Sequence, residues 1–209
     1  MQKENRGATN PQRFDTIVRE IFAPIYPVIA QQIINKTGVQ SGKCLDVGCG
    51  TGALGRSIAK HSDLHVTYFD QSVEMMMLTM DYAKEENLIL RSDFLVGDVH
   101  ELNLKDASMD LVISRGSSPF WVDWKRAYGE ILRVLKVGGK AYIGGGFGNA
   151  ELREHIVKTM NKNNPDWRNS FKDKVVLERE ALPSIMLSLQ PSHFSIIDDE
   201  SGYWIYITK

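Results

Sequence analysis

The 209-residue chain is poor in cysteine, in charge imbalance and in long apolar runs, and each shortage removes a class of protein. Its only cysteines are Cys44 and Cys49, with no second pair and no histidine cluster nearby. Neither a disulfide scaffold nor a structural zinc site is expected. Lysine plus arginine number 25 and aspartate plus glutamate 26, for a net charge of −1. Nothing supplies the positive field that a nucleic acid requires, although a small anionic ligand stays compatible with that balance. No apolar stretch approaches the ~20 residues that cross a bilayer, and the most apolar N-terminal stretch is interrupted by Pro24 and Pro27. The opening MQKENRGATNPQ is polar and has no hydrophobic core for export. The five histidines, at 61, 65, 100, 155 and 193, are scattered, so no metal site is expected. The expectation is a soluble, cytoplasmic protein with neither a membrane nor a nucleic acid as partner.

What remains is an ordinary globular composition, 43% apolar and 24% charged. A chain of this length buries roughly 70% of its unfolded surface in one core without staples. Residues 1–12 read as a loose tail closed by Asn10-Pro11. Phe14, Ile17, Val18, Ile21 and Phe22 then fall at i, i+3, i+4, i+7 and i+8, one apolar helix face. A second helical stretch carrying Ala30, Ile33 and Ile34 runs to Gly38, a C-terminal stop. From residue 43 the pattern alternates short apolar runs with helices. Strands are expected at Lys43–Val47, Leu64–Phe69, Phe94–Val96, Asp110–Ser114 and Lys140–Ile143. A helical stripe of Trp124, Tyr128, Ile131, Leu132 and Leu135 ends at Gly138-Gly139. Such alternation means a parallel sheet covered on both faces. Phe194–Asp198 and Tyr203–Thr208, around Asp199-Glu200-Ser201-Gly202, read as a closing hairpin.

The strongest local signal is Cys44-Leu45-Asp46-Val47-Gly48-Cys49-Gly50-Thr51-Gly52-Ala53-Leu54-Gly55. It joins the first strand to a helix, and its glycines let the backbone turn tightly and meet a ligand closely. In an open α/β sheet such a loop lies where ligands bind. Gly50, Gly52 and Gly55 satisfy the nicotinamide fingerprint, with Asp70 ending the next strand as a ribose ligand should. The same residues also read as Asp46-x-Gly48-x-Gly50-x-Gly52, and this frame resembles motif I of the class I S-adenosylmethionine-dependent methyltransferases.

Further segments carry that resemblance. Asp70 is followed by Gln71-Ser72, where Ser72 can cap the next helix, and Val96-Gly97-Asp98-Val99 ends the third strand. Glu130–Gly139 resembles the family's helix, turn and fifth strand, with Val137 where proline is usual. Ser114-Arg115-Gly116-Ser117, Phe120-Trp121 and Tyr142–Gly148 resemble small uncharacterised methyltransferases of methanogenic archaea. The resemblance implies a three-layer Rossmann-like α/β fold: a mostly parallel seven-stranded sheet with an antiparallel C-terminal hairpin. Residues 1–40 would be a tail and helical cap, and 41–209 the cofactor-binding part of one compact domain. It implies S-adenosylmethionine as cofactor, S-adenosylhomocysteine as product, and in-line methyl transfer to a small molecule. A non-catalytic S-adenosylmethionine-binding regulator and an NAD(P)-dependent oxidoreductase are the alternatives.

The cofactor residues so implied are Asp46, Gly48, Cys49, Gly50, Gly52, Asp70, Gln71, Met75, Gly97, Asp98, Val99, Ser114 and Arg115. Asp70 would take the ribose hydroxyls and Asp98 the adenine amino group, while Asp46 orders the loop. Of Met75, Met76, Met77 and Met80, most fill the core. Arg115 and His100 are the candidates for a catalytic part. Tyr26, Arg115, Ser117, Phe120 and Trp121 are expected to wall the acceptor pocket, and Trp124 to join the core. Arg115 would hold a carboxylate or phosphate, or else form a structural salt bridge.

Overall fold

A computed structural model describes residues 10–163, 167 and 172–209. The tail expected over 1–12 lies mostly outside them, and its last residues begin a helix. Asn10 caps that helix, α1 (Pro11–Ile17), by accepting the Arg13 amide at 2.9 Å, with proline at its first position. A wider turn carries it on through Val18–Phe22, and α2 follows over Ile25–Thr37. Both prolines were expected to interrupt this region. The break falls at Ala23-Pro24 alone, because Pro27 occupies the first turn of α2, where its missing N–H has no intrahelical partner to lose. Gly38, at φ +70°, closes α2 by donating to Ile34 O at 2.8 Å.

Seven strands follow: β1 (Ser41–Val47), β2 (Asp63–Asp70), β3 (Ser92–Val96), β4 (Met109–Arg115), β5 (Leu135–Gly146), β6 (His193–Asp199) and β7 (Gly202–Thr208). They form one sheet in the order β3-β2-β1-β4-β5-β7-β6, with β7 antiparallel to both its neighbours and every other pairing parallel. The helices are α3 (Ala53–Lys60), α4 (Val73–Glu85), α5 (Trp124–Val134), α6 (Ala150–Asn163) and α7 (Lys172–Leu189).

Alternating strand residues feed two cores. Cys44, Tyr68, Leu111, Ile113, Tyr142 and Trp204 face a layer containing Ile25, Ile29 and Ile33 of α2 and Ile58 of α3. Leu45, Phe69, Val112, Ile143 and Ile205 face the other, which contains Ile131 of α5 and Leu182 of α7. No single helix among the described residues is long and apolar enough to cross a membrane.

The stripe expected to run through Leu135 to Gly138-Gly139 stops one turn sooner, at Val134. Leu135 is already extended and pairs with Met109. Gly138, at φ +78°, sits in an irregularity after which Lys140 pairs with Leu111. Leu135 is buried in either state, so apolar spacing alone does not separate helix from strand there. Between β3 and β4 the chain runs as a loop, pinned by Arg133 of α5, which donates to Leu102 O at 2.6 Å and Leu104 O at 2.8 Å.

Candidate active site

Because β1 to β4 are parallel, their carboxyl ends lie along one edge of the sheet. That edge carries Asp46, Asp70, Asp98 and Arg115. The strand order reverses between β1 and β4, which opens a crevice at this point. Gly48, Gly50 and Gly52 adopt φ of +63°, +56° and +72°, so alternate positions of the loop demand glycine. Gly55 serves a different end: a Cβ there would lie 2.7 Å from both Asp46 Oδ2 and the Tyr68 ring.

Asp46 is 2% exposed and its Oδ2 accepts the Gly55 amide at 2.9 Å. Burial raises its pKa to about 7 against the opposing pull of that amide, and the nearby Asp70 charge adds to the rise. The folded value stands above the unfolded one, so the folded state takes up a proton between about pH 4 and 7. The associated stability is complete below that window and is lost as pH rises through 7. Measured against Asp46→Asn, the parent should lose about 2 kcal/mol between pH 5 and pH 8. Denaturant midpoints of the two proteins at both pH values check this, and a pH-independent difference would contradict it.

Asp70 bridges two segments. Its Oδ2 accepts the Gly50 amide at 2.8 Å and its Oδ1 the Ser72 amide at 3.0 Å. Ser72 in turn caps α4 by accepting the Met75 amide. Thr79 of α4 donates to Gly50 O at 2.8 Å, so the loop is tied from both sides. Met75 and Met76 are buried and Met77 is 63% exposed, as a mixed-facing run requires, while Gln71 lies at the surface. Gly97 packs on the Phe69 ring, where a Cβ would come within 2.8 Å, and Val99 is buried in the second core.

The Asp98 side chain is exposed, and its Oδ1 accepts both the backbone amide of His100, at 2.9 Å, and its ring Nδ1–H. These bonds hold the Asp98 carboxyl below its usual range against its partial burial. His100 Nε2 accepts the Asp123 amide at 3.0 Å. Both ring nitrogens are thus engaged, and His100 ties the loop after β3 to the start of α5.

The end of β4 is knitted to β1. Ser114 and Ser117 hydroxyls lie 2.6 Å apart, and Ser117 donates to Val47 O at 3.2 Å. Arg115 has no carboxylate partner among the described residues, so the salt-bridge expectation fails. Its Nε donates to Gly146 O at 3.0 Å, and its guanidinium lies 5.1 Å from the Phe22 ring, 5.5 Å from Tyr26 and 6.0 Å from Phe147. Burial lowers its pKa, and Tyr26 opposes that.

The remaining acceptor candidates lie apart from this crevice. Trp121 is buried edge-on against Tyr128, 5.5 Å away, because it fills the second core beneath α5. Phe120 is 53% exposed with Lys174 over its ring, since the short turn Ser118–Phe120 aims it outward. Trp124 is half-buried, joins the second core's margin and donates to Ser118 O.

The crevice itself is a cavity of about 50 Å³ lined by Asp46, Gly48, Cys49, Thr51, Tyr26 and Arg115, with Phe14 and Val18 from the cap. Phe14 rests on Gly50, where a Cβ would meet its ring at 2.9 Å. Tyr82 of α4 donates to the buried Asp15 carboxylate at 2.8 Å, fastening α1 over the loop. Two contributors to this cavity carry little signal in the sequence. Thr51, 1% exposed, has a hydroxyl without any partner, and its place inside the glycine loop was the available signal. Phe14 showed only as part of an apolar stripe.

The chain matches the family described as "Methyltransferase domain" over residues 45–143. A solved structure from Methanococcus maripaludis, assigned to the S-adenosyl-L-methionine-dependent methyltransferases, superposes with a TM-score of 0.92 at 39% identity. That match covers 100% of this chain and 97% of the other. A sterol 24-C-methyltransferase of Gibberella zeae is 34% identical over 120 residues, 56% of this chain and 32% of its own length. A chloroplastic 2-methyl-6-phytyl-1,4-hydroquinone methyltransferase of Spinacia oleracea is 36% identical over 100 residues, 47% of this chain and 28% of its own. The chain therefore spans about a third of the length of the curated relatives it matches. With a glycine loop at the β1–β4 crevice, acidic residues ending three neighbouring strands, and a relative alike over nearly its whole length, the chain belongs to the class I S-adenosylmethionine-dependent methyltransferases.

Proposed function

We propose that this methyltransferase acts on a small, largely apolar acceptor, bound between the cap and the end of β4. S-adenosylmethionine brings a methyl group already activated by its sulfonium, so the protein's task is to position the acceptor in line and to exclude water. The observation that carries the reading is the pairing of a cofactor-type crevice, which Arg115 and Tyr26 help to line, with the Phe22, Tyr26 and Phe147 rings gathered around that arginine. The matched relatives are named for sterol and phytyl-hydroquinone acceptors, which agrees with an apolar pocket.

In this reading Asp70 accepts the ribose hydroxyls through lone pairs that its two backbone bonds leave over. Asp98 takes the adenine amino group, the Val99 amide a ring nitrogen, and Gln71 and Met75 border the adenosine. Cys49 contributes backbone alone, since burial raises its thiol pKa further and the transfer needs no thiolate. In this reading the sheet and the helices that follow β1 carry the cofactor, and α1 and α2 cover it.

Incubation with methyl-labelled S-adenosylmethionine and a panel of small lipophilic alcohols, quinols and alkenes tests this. Label transfer to at least one acceptor is expected. Tight cofactor binding with no transfer across the panel would favour a non-catalytic binding protein instead.

A further inference from the structure

We propose that the cavity beneath the loop between β3 and β4 is a second ligand site, for a small amphipathic carboxylate. It lies toward the amino ends of the strands, away from the crevice. Lys43 on its wall and Val47 at the glycine loop are four residues apart on β1, roughly 13 Å along the strand. The inference therefore stands apart from the cofactor reading.

The cavity follows from the topology. Helices α3, α4 and α5 make the crossovers β1–β2, β2–β3 and β4–β5, whereas β3 passes to β4 through a loop without a helix. On the second face, whose helices are α5 and α7, Val99 and Leu102 of that loop join the same core as Leu45 and Phe69. The amino-terminal half of these strands keeps a cavity of about 380 Å³, within the ~300–1,000 Å³ usual for small-molecule sites. Its roof is fixed. Arg133 holds Leu102 O, Leu104 O and the Asp106 carboxylate, and Ser108 donates to Lys105 O at 2.6 Å. The space is thus built into the fold.

The lining defines what fits. Leu95, Leu104 and Met109 supply an apolar wall. Thr67 supplies a polar point in the floor: it is 3% exposed, and among the described residues its hydroxyl has no hydrogen-bond partner. Buried hydroxyls are seldom left so. Lys43 and Lys105 stand exposed at the mouth. The lysines ion-paired among the described residues are Lys60, Lys84 and Lys136, and neither of these two. The carboxylates close by are already taken: Asp93 by His65 at 2.9 Å, and Asp110 by Lys136 and the Lys43 amide, each at 2.8 Å. Thr67 lies two residues beyond the β2 partner of Lys43, roughly 8 Å away across the sheet, a gap that a lysine side chain spans. One carboxylate therefore accepts from both, while its hydrocarbon body lies on the apolar wall, out of water.

Heteronuclear amide NMR of the full chain, titrated with octanoate and with octanamide, tests this. Octanoate is expected to shift the Thr67, Leu95, Leu104 and Met109 amides together and to saturation. Lys43→Gln combined with Lys105→Gln, both at exposed positions, raises its Kd about fivefold or more, and Thr67→Val also raises it. Octanamide, which lacks the charge, binds the parent more weakly than octanoate does and binds the lysine variant equally well. Absence of a saturable shift at these amides would overturn the site, whether octanoate binds nowhere or only at the glycine loop. Equal octanoate affinity in the parent and the lysine variant, or equal affinity of the parent for octanoate and octanamide, would overturn the carboxylate assignment and the proposal with it.

Discussion

Asp70→Ala is expected to weaken S-adenosylhomocysteine binding at least tenfold in a protein that still folds. A hydrogen bond to a charged group is worth roughly 1.5–3 kcal/mol, and the ribose offers two hydroxyls to this carboxylate. Tenfold, about 1.4 kcal/mol, is therefore the lower bound of the expected loss. Part of the effect is indirect, because Asp70 also fixes the Gly50 and Ser72 amides and so shapes the loop under the ligand. Asp70→Asn retains an acceptor without the charge and should fall between parent and alanine. The fold is expected to survive, since the carboxylate is only partly buried and both amides it releases can reach water. Calorimetry beside a thermal melt checks both halves. Unchanged affinity in a folded variant would place the ribose elsewhere.

The largest effect on stability is expected at Gly144. A Cβ there would lie 2.1 Å from Tyr203 O and 2.9 Å from Trp204 Cα, both backbone atoms of β7. No rotamer change relieves such contacts, so β5 and β7 must separate. Their pairing positions Trp204 and Ile205 in the two cores. Gly144→Ala should cost about 3 kcal/mol or more, a fall in Tm on the order of 10 °C for a chain of this size. Gly145→Ala is the control: nothing lies within 4 Å of its Cβ, and a change of ~0.5 kcal/mol or less is expected. Equal melting temperatures for the two variants would contradict the proposed close approach of the strands.

The strands were legible because each combines an apolar run with a turn signal, and the loop because alternate glycines at Gly48, Gly50 and Gly52 have few structural uses. Helices α6 and α7 were not read. Only Ile156 and Met160 of α6 are buried, and α7 buries Glu178 while exposing Val176, Leu177 and Leu187, so neither displays a clean apolar face. Tertiary packing decides these helices. Within the site, the acidic strand ends were visible from position alone. The surroundings of Arg115 were not, because Phe22 and Phe147 reach it from segments 93 residues before and 32 after, brought together only by the fold. Trp121 was misplaced for the complementary reason: an aromatic after β4 serves pocket or core equally well, and the turn at Ser118–Phe120 directs it to the core.

One titration decides whether the β1–β4 crevice holds S-adenosylmethionine or a nicotinamide dinucleotide. Isothermal calorimetry of the full chain with S-adenosylhomocysteine, NAD and NADP should give saturable one-to-one binding for the first and no measurable heat for the dinucleotides. Binding of either dinucleotide more tightly than S-adenosylhomocysteine would contradict the account.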